Sequence, residues 1–155
     1  MIGKSIKQKK LSSNVTPSRS GAALVEMALV LPIFLMIIFG IIEFGRGMMV
    51  GQMVTNAARE GARLGVISGS TNVDVETKIK TFILESTGIA NDDVNVTITI
   101  TPDPNNTNPG NVLASSDTGD MIKVKVAVAA NKATLLQPDF LAGKSIVGRA
   151  AMRHE

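Results

Sequence analysis

Cysteine, tryptophan and tyrosine are absent from this 155-residue chain, and histidine occurs once, at His154. Without cysteine there is no disulfide, no thiolate nucleophile and no cysteine-bound zinc. Aromatic residues make up 3% of the chain and all are Phe, so no Trp–Tyr belt can mark a membrane–water boundary. Nucleophilic or acid–base catalysis needs a positioned group, and the single His lies one residue from the C-terminus, where chain ends are poorly held as a rule. The Gly-rich stretches fit neither phosphate-loop pattern. Asp103, Asn105 and Thr107 imitate the opening of a calcium loop, but Asn108 and Ala114 stand where its glycine and bidentate glutamate belong. Asp92 and Asp93 read as a solvated turn. The expectation is a protein that is no enzyme, with no cofactor, no metal and no catalytic residue.

Acid is also missing from one stretch. Residues 1–21 hold Lys4, Lys7, Lys9, Lys10 and Arg19 and no Asp or Glu, so the chain's net charge of +3 is a leader of +5 set against −2 for residues 22–155. A nucleic-acid binder spreads its basic residues over the folded part. Here they form a flank, and no nucleic-acid partner is expected.

What is abundant is apolar sequence, 45% of the whole. Residues 22–42 read AALVEMALVLPIFLMIIFGII, with Glu26 as the one charge. At ~1.5 Å per residue such a helix spans about 32 Å, the thickness of a bilayer's hydrocarbon core. The positive flank before it puts the N-terminus in the cytoplasm and everything after residue 43 outside, in contact with the lipid bilayer along the span. The run is too long for an ordinary cleaved signal peptide, and Glu43-Phe44-Gly45-Arg46 is no A-x-A-like cleavage site. Pro32 removes one helical hydrogen bond and predicts a bend. Glu26 is costly in a membrane unless it reaches the interface or a positive partner.

A basic leader ending in Gly21, four apolar residues, then Glu26 resembles the class III signal of prepilins and pseudopilins. Glu26, Leu31-Pro32, the run Gly40-Ile41-Ile42-Glu43-Phe44-Gly45-Arg46, and Asn56-Ala57-Ala58-Arg59-Glu60-Gly61-Ala62-Arg63 are similar to TadE-like proteins, minor pseudopilins of the tight-adherence (Flp) pilus system. The ending Ala150-Ala151-Met152-Arg153 is similar too. Met27 departs from the Phe or Tyr common after the Glu, and Ala22 departs from the Phe of the type IVa branch. The resemblance implies cleavage between Gly21 and Ala22 by a membrane prepilin peptidase. It also implies a recognition and assembly role for Glu26. The freed α-amino group of Ala22 would be mostly protonated at neutral pH and could pair with Glu26 in the same or a neighbouring chain. The implied partners are the peptidase, other pseudopilins, the major pilin and the inner-membrane assembly platform. Two alternatives stay open: an uncleaved, single-pass membrane-anchored binding or sensor domain, and a TadG-like accessory protein.

Beyond the membrane the helix continues as a stem. Val50, Met53, Val54, Ala57, Ala58, Gly61 and Leu64 fall on one stripe, with Gln52, Asn56, Arg59 and Arg63 on the other side. Ala57, Gly61 and Gly65 recur every fourth residue and mark a helix-packing seam, against this chain's own sheet or against a neighbouring pseudopilin. The glycines from Gly45 to Gly51 are expected to loosen the helix. Asn72 is expected to cap a second helix over 73–86, ended by Gly88. Residues 94–101, 121–129 and 145–153 read as strands, with Lys123 and Lys125 facing solvent, and 135–141 as a connection. The fold class is therefore α+β: leader 1–21, transmembrane helix 22–42, stem helix 43–67, and an extracytoplasmic domain 68–155 built on a small antiparallel sheet, pilin-like in outline.

Overall fold

The computed structural model describes residues 19–134 and 143–155, with side chains from residue 21 onward. Most of the basic leader and the connection expected over 135–141 lie outside the described residues. The architecture is α+β: a long helix α1 (Arg19–Gly65), a helix α2 (Asn72–Thr87), strands β1 (Val94–Thr101) and β2 (Met121–Ala129), a single turn α3 (Ala130–Ala133), and strand β3 (Ser145–Arg153). The chain divides into a unit of residues 1–38 and a folded unit of residues 39–155. The helical assignment of α1 passes through both Pro32 and the glycines from Gly45 to Gly51, which were expected to interrupt or loosen it. Proline deletes one N–H donor only, and the hydrogen bonds on either side persist.

In the folded unit the three strands form one antiparallel sheet in the order β1-β2-β3, so β2 is central. Strand alternation is strict. Ile98 and Ile100 of β1 and Ile122, Val124, Val126 and Val128 of β2 point inward, while Thr97, Thr99, Lys123 and Lys125 point out. Against the inner face pack the stem part of α1, through Val50, Val54, Ala57, Ala58 and Ala62, and α2, through Val75, Ile79 and Ile83. This is two layers around one core.

Close approach decides where the layers touch. Gly148 of β3 lies so near the backbone of α1 at Val54 and Thr55 that a β-carbon there would overlap it. The space over Gly61 of α1 is filled by the side chain of Ile79 of α2, and a β-carbon at Gly65 would meet Ile122 and Leu113 at ordinary contact distance. The stem is further tied to α3 by Arg46, whose Nε donates to the Ala133 carbonyl at 3.1 Å.

The start of α2 differs from expectation by one residue. Thr71, not Asn72, is the N-cap: Asp74 N donates to Thr71 Oγ1 at 3.2 Å, and Thr71 N donates to Asp74 Oδ2 at 3.0 Å. Reciprocal bonding of this kind satisfies two backbone donors at once, which a lone Asn cap does not. Asn72 is thereby freed to bridge to the loop after β1. Its Nδ2 donates to Asn111 O at 2.9 Å and its Oδ1 accepts from Leu113 N at 2.9 Å. At the other end Gly88, at φ 74°, closes α2 through a bond from its N–H to Leu84 O.

Three stability outcomes follow, all to be read by far-UV circular dichroism because the chain has no Trp or Tyr to report by fluorescence. Gly148→Ala should cost about 1–3 kcal/mol through overpacking. Gly51→Ala, whose added carbon would meet only Ile146 Cγ2 at 3.7 Å, should be neutral or gain up to ~1 kcal/mol of helix propensity. Thr71→Ala should cost about 1 kcal/mol by undoing the cap. Equal effects of the two glycine substitutions would contradict the close approach of β3 to α1.

Candidate functional site

The first feature to explain is the apolar part of α1. Its Leu, Met, Ala and Ile residues favour helix, and a helix satisfies its backbone donors and acceptors internally, as a span in lipid must. Every residue from Gly21 to Ile42 is exposed, including Leu24, Phe34, Met36 and Phe39. None of the most apolar window is buried by the protein itself. An apolar surface of this extent calls for an apolar surrounding. Gly21 and Ala22 lie in the helix's first turns, since α1 begins at Arg19 rather than at Ala22. Glu26 is exposed and makes no hydrogen bond or ion pair among the described residues.

The stem carries the other residues singled out from sequence. Ala57, Gly61 and Gly65 are all buried within the folded unit, Gly61 against Val75 and Ile79 of α2 and Gly65 against Leu113 and against Ile122 of β2. The opposite side of the stem is left open, with Gln52, Asn56, Arg59 and Arg63 exposed. Met48, Gly51, Gln52, Thr55, Asn56 and Arg59 line a shallow groove of about 560 Å³ there. Arg63 pairs with Glu60 at 3.4 Å, an exposed bridge worth little.

A polar hub went unseen in the sequence. Asp120 is fully buried, yet both carboxylate oxygens are occupied. Oδ1 accepts from Asn106 Nδ2 at 2.7 Å and Asp103 N at 2.9 Å, and Oδ2 from Asp117 N at 3.0 Å. The Asn106 amide, then the Asp103 and Asp117 N–H groups, and lastly the nearby His154 hold this carboxyl below its ordinary range, against burial, which raises it. His154 itself is not a loose terminal residue: it is buried, its N–H donates to Asp120 O, and its carbonyl accepts from Gly119 N, both at 2.8 Å. Its Nδ1 has no hydrogen-bond partner among the described residues. Arg153 adds a bond from Nε to Gly119 O at 2.9 Å and an ion pair with Asp103 at 3.4 Å. The only sequence signal for the hub was the Thr-Gly-Asp turn before β2.

Asp103 and Asp93, two of the acidic positions singled out from sequence, have structural partners. Asp103 accepts from Asn105 N at 3.2 Å and faces Arg153, while Asp93 pairs with Lys132 at 3.6 Å. Among the described residues no group of three or more His, Asp or Glu is arranged to hold a metal.

An exposed apolar helix leading into an α+β domain defines a candidate membrane-anchored protein. The family model described as TadE-like protein matches residues 21–63, so from the start of its apolar run into its stem the chain is similar to TadE-like proteins. TadE-like proteins belong to tight-adherence pilus systems. No curated protein and no solved structure matches the chain.

The hub gives the domain an acid limit. With its folded pKa lowered, Asp120 contributes stability above its unfolded value, about 3.9, and that contribution is lost as pH falls through the folded value. Asp74, lowered by Thr71, acts in the same direction. Asp120→Asn should lower the melting temperature at neutral pH, because its amide would oppose the Asp117 N–H, and should flatten the loss of stability below about pH 4. An unchanged acid limb in that variant would contradict the assignment.

Proposed function

We propose that this chain is a minor pseudopilin that supports assembly or initiation of a tight-adherence pilus, without catalytic activity or cofactor. The observation that carries the reading is the coincidence of the TadE-like match with the exposed apolar helix and its Gly21-xxxx-Glu26 motif. The leader stays in the cytoplasm, the helix crosses the inner membrane once, and the domain lies outside. A prepilin peptidase cuts between Gly21 and Ala22. That bond sits where a helix lacks intrahelical partners for its leading N–H groups, so the first turns open into a peptidase cleft at low cost. Cleavage then creates an ammonium at Ala22 four residues from Glu26, on the same helical face. In the membrane this charge offsets the carboxylate, within one chain or between neighbours. The partners are the peptidase, other pseudopilins and the major pilin, and the assembly platform. The competing reading, an uncleaved anchored binding or sensor domain, keeps the leader.

Intact mass of the membrane-extracted protein, made beside an active cognate prepilin peptidase, separates the two. The expected product begins at Ala22, and a Gly21→Leu variant should retain its leader. A chain that stays whole from Met1 to Glu155 under those conditions would exclude the pilin route. Glu26→Ala should leave membrane insertion intact but weaken co-purification with other pseudopilins about tenfold, the scale of one desolvated ion pair.

A further inference from the structure

The helices cover one face of the sheet, and the other face is open. Its outward residues follow the strand register: Thr97 pairs with Lys125 and Lys125 with Arg149, while Thr99 pairs with Lys123 and Lys123 with Ala151. Thus Lys123, Lys125 and Arg149 share one side of two adjacent strands, and no acid stands among the outward residues of β1, β2 or β3. Lys123 Nζ donates to Thr101 Oγ1 at 3.1 Å. Lys125 and Arg149, directly opposite each other, make no hydrogen bond or ion pair among the described residues. Like charges in that relation repel and destabilise the pairing. Lysine is often placed on edge strands to block unwanted strand addition, but β2 is the central strand, so that purpose does not apply to Lys123 and Lys125.

We infer that this open sheet face is a docking surface for an acidic, carboxylate-bearing segment of a partner protein. The inference is independent of the pilus reading and concerns a surface outside the family match. The cations rim a shallow depression of about 470 Å³ with Thr97, Thr99 and Ala151 among its lining residues, a mixture of charge, hydroxyl and methyl that suits a protein interface. Other polyanions fit less well. Phosphate sites draw on free backbone N–H groups, whereas those of the central strand are spent in the ladders on both sides. Stacking platforms for bases need aromatic side chains, and the sheet has none. Carboxylates arriving between Lys125 and Arg149 would turn their repulsion into two attractive contacts.

Zero-length carbodiimide coupling tests this on the full chain in detergent micelles, with an N-acetylated poly-L-glutamate peptide as probe and adducts mapped by mass spectrometry. Site mapping separates the sheet face from the basic leader. Adducts at Lys123 and Lys125 should exceed those at Lys78 and Lys80 of α2 about fivefold. Arg149→Gln should lower the yield at Lys125 about threefold, the scale of one exposed ion pair, with Lys78 unchanged. Lys125→Gln, read at Lys123, gives a second variant, and circular dichroism checks that both fold. Equal coupling at all exposed lysines, or no change in either variant, would overturn the proposal. So would inorganic polyphosphate that displaces the probe at lower charge concentration than free polyglutamate, since the surface would then select phosphate.

Discussion

The contact on which the domain depends is the one between the stem of α1 and the sheet. A three-stranded sheet and one short helix have little apolar surface to share, and small domains are marginal for that reason. Here α1 contributes Val50, Val54, Ala57, Ala58 and Ala62 to the core, all fully buried. Gly148 lets β3 come down onto the α1 backbone, and Gly61 lets α2 seat Ile79 on the other side. The same helix that presents bare apolar side chains over residues 21–42 thus completes the core of the folded unit. The candidate anchor and the fold share one element, so neither can be altered along α1 without regard to the other.

That sharing explains how the small residues are spent. A stripe of Ala and Gly at fourfold spacing permits a close neighbour but does not say which one. In this chain Ala57, Gly61 and Gly65 are buried within the chain's own folded unit. What remains for other molecules is the polar side of the stem, the open sheet face, and the apolar helix. The remaining polar loops are held by Asp120, which gathers the segments around Asp103, Asn106 and Asp117 while backbone bonds pair it with His154 at the end of β3. A buried carboxylate is tolerated there because it accepts three hydrogen bonds, leaving little uncompensated charge.

The TadE-like match and the structure bear on different parts of the chain. The match spans residues 21–63, the apolar run and most of the stem, while the sheet lies wholly beyond it. The segment similar to the family is thus the one that carries the exposed apolar run, a candidate membrane anchor, and begins the core. The open face of the sheet, with its one-signed charge, is where this chain has room for a specificity of its own.

Sequence alone determined the elements whose signal is periodic. The three strands occupy the expected residues because alternation has a period of two and β-branched side chains mark it. The apolar helix and the Gly21-xxxx-Glu26 motif were legible for the same reason, since composition and spacing along the chain carry them. Tertiary structure decided what depends on residues far apart. Thr71, in its reciprocal bonding with Asp74, caps α2 in place of Asn72, whose side chain instead binds Asn111 and Leu113, some forty positions away. His154 is buried rather than loose because Asp120 and Gly119 hold its backbone. Arg149 faces Lys125 only through strand register. Local pattern selects helix or strand, whereas partners across the fold are chosen by packing and register, which no window of sequence contains.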